Sequence, residues 1–497
     1  MRTPFPHVVR RRPAEAPTPV PAATWQDRLA RLADAWGGGQ DPAAVVRTRL
    51  AAGGSSHVWC ALAVLSGRLP TRDDVVDARR AADLDGPDAV LDAARRLATP
   101  ESAVRQVELL VGATVVDLGD LVLSPLRTGI QRVAVNVVRS WTATRDVTTV
   151  AWTSGTDAMR PVGTAERDRA LADAPEQRGW TVPSDDRVVV PWRCTYLLPE
   201  LAVQPRRCAA LAALAEHGGG RTGVIGFDCV PLTSSETTAT GFTAVFALNL
   251  AAVARFDAVA CISDAAATEY AGWRRMLSGA GLPGPRITTC ALPTHAPEPS
   301  AQDLQEAHAR FVVAGLPLVV CVGSHEPRKN HVAVLQAAEM LWRRGLRFSL
   351  LFVGGNTWNG QDFERRLDEL RAAGRPVESV SRLSDRLLWA TYRIASFTVF
   401  PSLNEGFGLP VAESVDAGTP VVTSRYGSMR EIAAGGGALL ADPRDDDDIA
   451  TQMARLLTDR ELHASLAEQA RGRSGSTWAA YSDALWEQLA STPAEDA

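Results

Sequence analysis

A chain of 497 residues is too long for one hydrophobic core, and at roughly 100–200 residues per domain it implies about three units. Its 46% apolar and 22% charged content is that of a folded protein, and a net charge of −5 without a dense Lys/Arg block argues against a nucleic-acid partner. No uninterrupted apolar run reaches the ~18 residues of a membrane span, and the first 25 residues hold no apolar stretch of signal-peptide length.

Residues 1–24, six of them prolines among arginines and alanines, read as a flexible leader, since such a mixture cannot bury enough apolar surface to offset its ordering entropy. Residues 25–105 read as a small helical extension. Trp25, Leu29, Leu32 and Trp36 fall on one face at 4-3-4 spacing, and Val75, Ala78, Ala82, Val90, Leu91 and Leu97 mark further short helices. The Trp-bearing stripe is expected inside its own bundle, with peripheral contact to a partner or a membrane surface as its alternative use.

Over 106–300, short β-branched runs alternate with helical stretches. The expected strands are Thr114–Asp117, Thr148–Thr153, Arg187–Trp192, Gly223–Asp228, Ala258–Ser263 and Arg286–Leu292. A Pro-rich stretch follows, and alternation restarts over 301–475 with Leu318–Gly323, Phe348–Gly354, Val377–Val380, Phe397–Phe400, Pro420–Thr423 and Ala438–Leu440. The fold class is therefore α/β, with two Rossmann-like doubly wound domains whose ligand loops lie at strand carboxyl ends and face a shared cleft. Residues 476–497 read as a closing helix bearing Trp478, Tyr481 and Trp486. The seven cysteines (Cys60, Cys194, Cys208, Cys229, Cys261, Cys290 and Cys321) include no Cys-x-x-Cys pair, as expected of buried free thiols in a reducing, cytoplasmic setting.

Two loops of the second domain carry chemistry. Gly323, closing a strand, is followed by Ser324-His325-Glu326-Pro327-Arg328-Lys329-Asn330 and then an apolar-periodic helix, and a basic pair before a helix N-terminus favours a diphosphate. Of 52 basic residues only Lys329 is lysine. In Asn404-Glu405-Gly406-Phe407-Gly408-Leu409-Pro410-Val411-Ala412-Glu413, the glycines let backbone approach a ligand, and Glu405 and Glu413 can each accept hydrogen bonds from sugar hydroxyls. In the first domain, Thr128 and Gln131 have capping-box spacing, which puts Gly129 at a helix start, with Arg127 and Arg132 beside it.

These motifs, together with Gly418-Thr419-Pro420-Val421-Val422, resemble glycosyltransferase family 4. The first-domain segments Val116-Asp117-Leu118 and Arg127–Val133 resemble its mannosyl- and rhamnosyltransferase-like group acting on bacterial surface polysaccharides. The resemblance implies a GT-B fold and transfer, with retention, of a hexose or deoxyhexose from a nucleotide-diphosphate sugar. The acceptor would be a hydroxyl of a glycan, a lipid-linked glycan or a small molecule, at work in the cytoplasm or at the inner face of the membrane.

It also implies residue roles. Glu405 contacts the transferred sugar, Glu413 holds the ribose, and Lys329 with Arg328 beside it stabilises the leaving diphosphate. Gly323, Ser324, Gly406, Phe407, Gly408 and Leu409 line the donor site, and Arg382 and Leu383 frame the base. Asp228 acts from the acceptor side, as do Gly129, Gln131 and Arg132.

The chain departs from the family pattern at Ser324, where some members carry arginine, and at Phe227, where relatives usually have histidine before the aspartate. Phe227 keeps a rival reading open, a degenerate glycosyltransferase that binds sugar or serves as a scaffold. No cofactor is expected beyond the nucleotide-sugar co-substrate. No metal is expected either, since Asp445–Asp448 precedes Ile449, Met453 and Leu456 and suits the first turn of a helix.

Overall fold

The structure, a computed structural model, describes residues 21–125, 128–172, 184–294, 296–355, 360–381, 383–473 and 475–491. Arg127, Arg382 and most of the expected leader lie outside the described residues.

The chain opens with the helices Ala22–Ala35, Pro42–Ala52, Ser55–Ser66, Arg72–Asp85 and Asp88–Leu97. Trp25, Leu29, Leu32 and Trp36 are all buried, so the stripe is spent on packing and leaves neither tryptophan for a membrane surface. Helix Ser55–Ser66 is sealed from Val58 through Ser66 and forms the centre of this bundle. Arg28 ties the bundle together by donating to the carbonyls of Leu65, Ser102 and Arg105 at 2.7–2.8 Å. Arg68 and Arg105, pairing with Asp157 at 3.0 and 3.1 Å, fasten it to the first lobe.

That lobe is built on β1 (Gln106–Val111), β2 (Thr114–Asp117), β3 (Thr148–Trp152), β4 (Met159–Pro161), β5 (Arg187–Trp192), β6 (Thr195–Leu198), β7 (Thr222–Gly226), β8 (Ala258–Cys261) and β9 (Arg286–Thr289). Among the described residues they form one sheet in the order β1-β5-β4-β3-β2-β6-β7-β8-β9. The six expected strands are present. β1, β4 and β6 are additions, and β4 runs antiparallel to β3 and β5, so the sheet is not wholly parallel.

The second lobe holds β10 (Leu318–Val322), β11 (Ser349–Val353), β12 (Val377–Val380), β13 (Phe397–Phe400), β14 (Val421–Ser424) and β15 (Ala438–Ala441) in the parallel order β12-β11-β10-β13-β14-β15. Its central strands are apolar on both faces because helices cover both. The closing helix, Trp478–Leu489, returns to the first lobe, where Trp141 donates its indole N–H to the Ser482 carbonyl at 2.9 Å and Arg145 pairs with Asp483 at 2.6 Å. All seven cysteines are buried. No described helix is long and apolar enough to cross a membrane.

Candidate functional site

The loop after β10 turns at Gly323, whose φ of +149° favours glycine, and runs through a single 3-10 turn, Pro327–Lys329. Asn330 follows with φ +62° and starts helix His331–Arg343. Its amide donates to the carbonyls of Pro401 and Pro443 at 3.1 and 2.7 Å, binding this loop to the one after β13. The two loops bring together residues far apart in sequence. Lys329 Nζ donates to Glu405 Oε1 at 2.6 Å, and Arg328 lies 2.8 Å from Oε2. Ser402 Oγ donates to Oε1 at 2.7 Å, and Ser428 Oγ donates to the Glu405 carbonyl at 2.9 Å. Burial alone would raise this carboxyl, but the charges of Arg328 and Lys329 and the bonds from Lys329 and Ser402 outweigh it and hold it at about 2. Arg328 also donates to the Asn404 carbonyl at 2.6 Å and pairs with Glu326 at 3.0 Å, and Ser324 Oγ donates to Glu326 at 3.1 Å.

Glu413 lies on helix Leu409–Asp416, which begins at Gly408 with φ +95° and no side-chain cap. Its carboxylate is buried, accepts from Tyr392 Oη at 2.9 Å and meets Arg132 of the other lobe at 3.5 Å. Burial raises its pKa, opposed by Arg132 and Tyr392. Between the two glutamates, Gly406 lies so close to the first lobe that a Cβ there would stand 2.5 Å from the Phe227 carbonyl and 2.8 Å from Asp228 Oδ2. Phe407 is buried in the core, and Leu409 is partly buried against it.

On the first lobe, the capping box forms: Thr128 Oγ accepts from the Gln131 amide, and the Gln131 side chain accepts from the Thr128 N–H at 3.0 Å. Gly129 faces the loop that leads into helix Leu409–Asp416, with Leu409 Cδ1 3.8 Å from where its Cβ would be. The Gln131 side chain thus closes the cap, and Arg132 reaches across to Glu413 at 3.5 Å. Asp228 sits beyond the end of β7, where burial raises its pKa to about 6 against the opposing charge of Arg328, with Glu269 and Glu405 adding to the rise. Phe227 is a core residue, 2% exposed.

The structure therefore brings Lys329, Arg328, Glu405, Asp228 and Gly406 to one place, and Glu413, Arg132, Gly408 and Gly129 beside it. Ser324 hydrogen-bonds within its own loop, and Leu383 packs in a cluster with Leu351, Leu387 and Ala390. Motif reading misses Tyr392, Ser402 and Ser428, and gives Glu326, which stands within the first loop, no role. Ser402 and Glu326 lie within a few positions of the motif residues they hold, whereas Tyr392 has no motif of its own. Among the described residues no group of three or more His, Cys, Asp and Glu is placed to hold a metal. Asp445 caps helix Asp446–Thr458 by accepting from the Asp447 and Asp448 amides at 3.0 and 3.1 Å.

Two Rossmann-like lobes closed over a cleft of this kind define a GT-B fold. Residues 305–473 match the model for glycosyl transferases group 1, so the second lobe is a domain of that type. The chain is 27% identical over 335 residues to the serotype-specific mannosyltransferase WbdA of Escherichia coli, covering 64% of this chain and 39% of that protein. It is 34% identical over 139 residues to the O-antigen chain mannosyltransferase B of Escherichia coli, covering 28% of this chain and 36% of that protein. The match thus spans about two fifths of the length of these relatives. Among solved structures, HepE from Anabaena in complex with UDP and glucose aligns with a TM-score of 0.55 at 13% identity, covering 76% of this chain and all of that one. The apo structure of OtsA aligns at 0.51 with 12% identity, covering 77% of this chain and 99% of that one.

Proposed function

We propose that this protein is a retaining glycosyltransferase that moves a hexose or deoxyhexose from a nucleotide-diphosphate sugar to a hydroxyl of a glycan or lipid-linked glycan, without metal or other cofactor. The observation that carries the reading is Glu405, held ionised by Lys329 and Arg328 in a loop that presses against Asp228 of the opposite lobe. A diphosphate entering beside Lys329 would share those cations. Negative charge developing on it as the glycosidic bond breaks would meet preorganised donors, among them the N-terminus of helix Leu409–Asp416, which no side chain caps. In this reading Glu413 accepts from vicinal ribose hydroxyls. The acceptor oxygen bonds to the anomeric carbon on the face the diphosphate leaves, the bond from that carbon to the phosphate oxygen breaks, and the acceptor proton passes to a phosphate oxygen. No enzyme nucleophile is needed, and the lobes serve to position the reactants. The resemblance to mannosyltransferases makes GDP-mannose a first donor to test, and the UDP-bound HepE makes UDP-glucose the second.

The test is incubation with GDP-mannose, UDP-glucose, ADP-glucose and dTDP-rhamnose, each with an alkyl glycoside acceptor in EDTA. Nucleoside diphosphate release and the anomeric configuration of the product by NMR are the readouts. Acceptor-dependent release with retained configuration is expected. An inverted product would end the retaining assignment, and turnover restored only by Mg²⁺ the metal-free one. Donor binding without turnover would favour the degenerate, sugar-binding reading that Phe227 leaves open.

A further inference from the structure

Helix Asp264–Gly279 of the first lobe meets the Glu405 loop at two points and the neighbouring helix Gly427–Ala433 at a third. Its N-cap Ser263 donates its hydroxyl to the Gly406 carbonyl at 2.5 Å. The Asp264 amide donates at 3.1 Å to Glu431, on the same short helix as Ser428, which holds the Glu405 carbonyl. One and a half turns on, the partly buried Glu269 carboxylate accepts from the Cys229 amide at 2.7 Å through Oε2, and through Oε1 from Thr233 Oγ1 at 3.1 Å and Asn404 Nδ2 at 3.2 Å. Cys229 follows Asp228 and Asn404 precedes Glu405. One side chain thus joins the backbone N–H next to Asp228 to the side-chain amide next to Glu405, the two carboxylates that face each other across the cleft.

We propose that Glu269 is a positioning residue, which holds the Asp228 turn and the Asn404–Glu405 loop in register when the lobes are closed. Its effect on catalysis rests on the glycosyltransferase reading, but its effect on closure does not. Carboxylate is suited to this place because all its partners are donors, and its two oxygens separate the strand-end turn from the interlobe contact. In Glu269→Gln the amide can serve Asn404 and Thr233 with its oxygen, but it then turns an N–H toward the Cys229 N–H. That change keeps the bridge between lobes while loosening the Asp228 turn.

Spin labels at Met276→Cys and Val313→Cys, exposed positions on the two lobes, report closure directly. The label distance should lengthen or broaden in Glu269→Ala and in Asn404→Ala, while Glu269→Gln stays near wild type. With whichever of GDP-mannose and UDP-glucose the wild type turns over, Glu269→Ala should lower kcat by about ten- to a hundredfold, as misplacement of reactants does, with UDP or GDP affinity unchanged. The effects of Glu269→Ala and Asn404→Ala should fall short of multiplying, by about threefold or more, because the two share a contact, with Asn404 keeping its own bond to Thr233 Oγ1 at 3.1 Å in Glu269→Ala. A wild-type label distance in Glu269→Ala, or turnover losses that multiply, overturns the assignment. A wild type inactive with every donor, whose lobes still open in Glu269→Ala, would remove the enzymatic reading and leave the bridge. Far-UV circular dichroism and thermal melts on each variant separate loosening from unfolding.

Discussion

Glu405 in the second lobe and Glu200 in the first are both buried glutamates beside an arginine, yet their carboxyls are driven in opposite directions, to about 2 and about 8. The difference is the number of cations each can use. Glu405 has Lys329 at 2.6 Å and Arg328 at 2.8 Å. Glu200 stands 3.6 Å from Arg207, which sits 3.0 Å from Asp117 and 3.7 Å from Asp120. Asp117 also accepts from Trp152 Nε1 at 2.7 Å, from the Gly119 amide at 2.7 Å and from the Tyr196 hydroxyl. Burial dominates when one guanidinium is divided among three carboxylates, and loses at Glu405, where Lys329 is joined by an Arg328 that is shared with Glu326. The first-lobe cluster is closed on itself and shapes the turn after β2, whereas the second-lobe cluster lies in the cleft, where a ligand can compete for its cations.

If that contrast is right, stability and turnover should separate between the clusters. Arg207→Ala leaves Asp117 buried without its cation and should cost about 3–5 kcal/mol of unfolding free energy, measured by denaturant titration. Unchanged stability would mean that the cluster is not the strut described here. Lys329→Ala should instead lower turnover by about two to three decades, the loss of one preorganised donor, with a smaller loss of stability than Arg207→Ala because Arg328 still serves Glu405. Lys329→Arg should recover only part of this, since a planar guanidinium fits the 2.6 Å contact with Glu405 less well than a compact ammonium. Full activity in Lys329→Arg would show that charge alone matters there. Glu413→Ala should weaken nucleoside-diphosphate binding by about one to two decades, the worth of hydrogen bonds to a charged group, while leaving kcat nearly unchanged. A fall in kcat at constant affinity would move Glu413 from the ribose to the reacting centre.

How much of this is legible in the sequence follows from how local each feature is. The donor loops are, because Gly323 through Asn330 and Asn404 through Glu413 are continuous motifs with glycines and charges in fixed order. The capping box at Thr128 is read from four residues. What escapes is long-range or short. β4 has three residues, one of them Pro161, and pairs antiparallel, so no periodicity marks it. β1 is an edge strand that the N-terminal helices cover, with Glu108 in its middle. Glu269 and Tyr392 act 135 and 21 residues away from the side chains they hold, and neither sits in a recognisable pattern. Arg132 shows the limit from the other side. Its helix is predicted in place, but only lobe closure reveals that it meets Glu413.

The smallest expected effect concerns pH and Glu200. Burial raises this carboxyl from 4.5 to about 8, with Asp120 and Asp117 adding to the rise and Arg207 opposing it. A carboxyl raised in the folded state favours folding while it is protonated, so its contribution is complete below 4.5 and is lost as pH rises through 8. Glu405, held down, works the other way: its contribution is complete above 4.5 and is lost as pH falls toward 2. Asp228, at about 6, titrates below the range that isolates Glu200. Between pH 7 and 8 the wild type should therefore lose stability relative to Glu200→Gln, whose amide does not ionise, by at most about 1.4 kcal/mol per pH unit. In a lobe of this size that is a few degrees of melting temperature. The difference between the two melting curves as a function of pH is the measurement, because histidines and the remaining carboxylates contribute equally to both and cancel. A difference that is flat from pH 7 to 8 would mean that Arg207 already holds Glu200 ionised, and the contrast with Glu405 would then reduce to one of solvent access rather than of charge sharing.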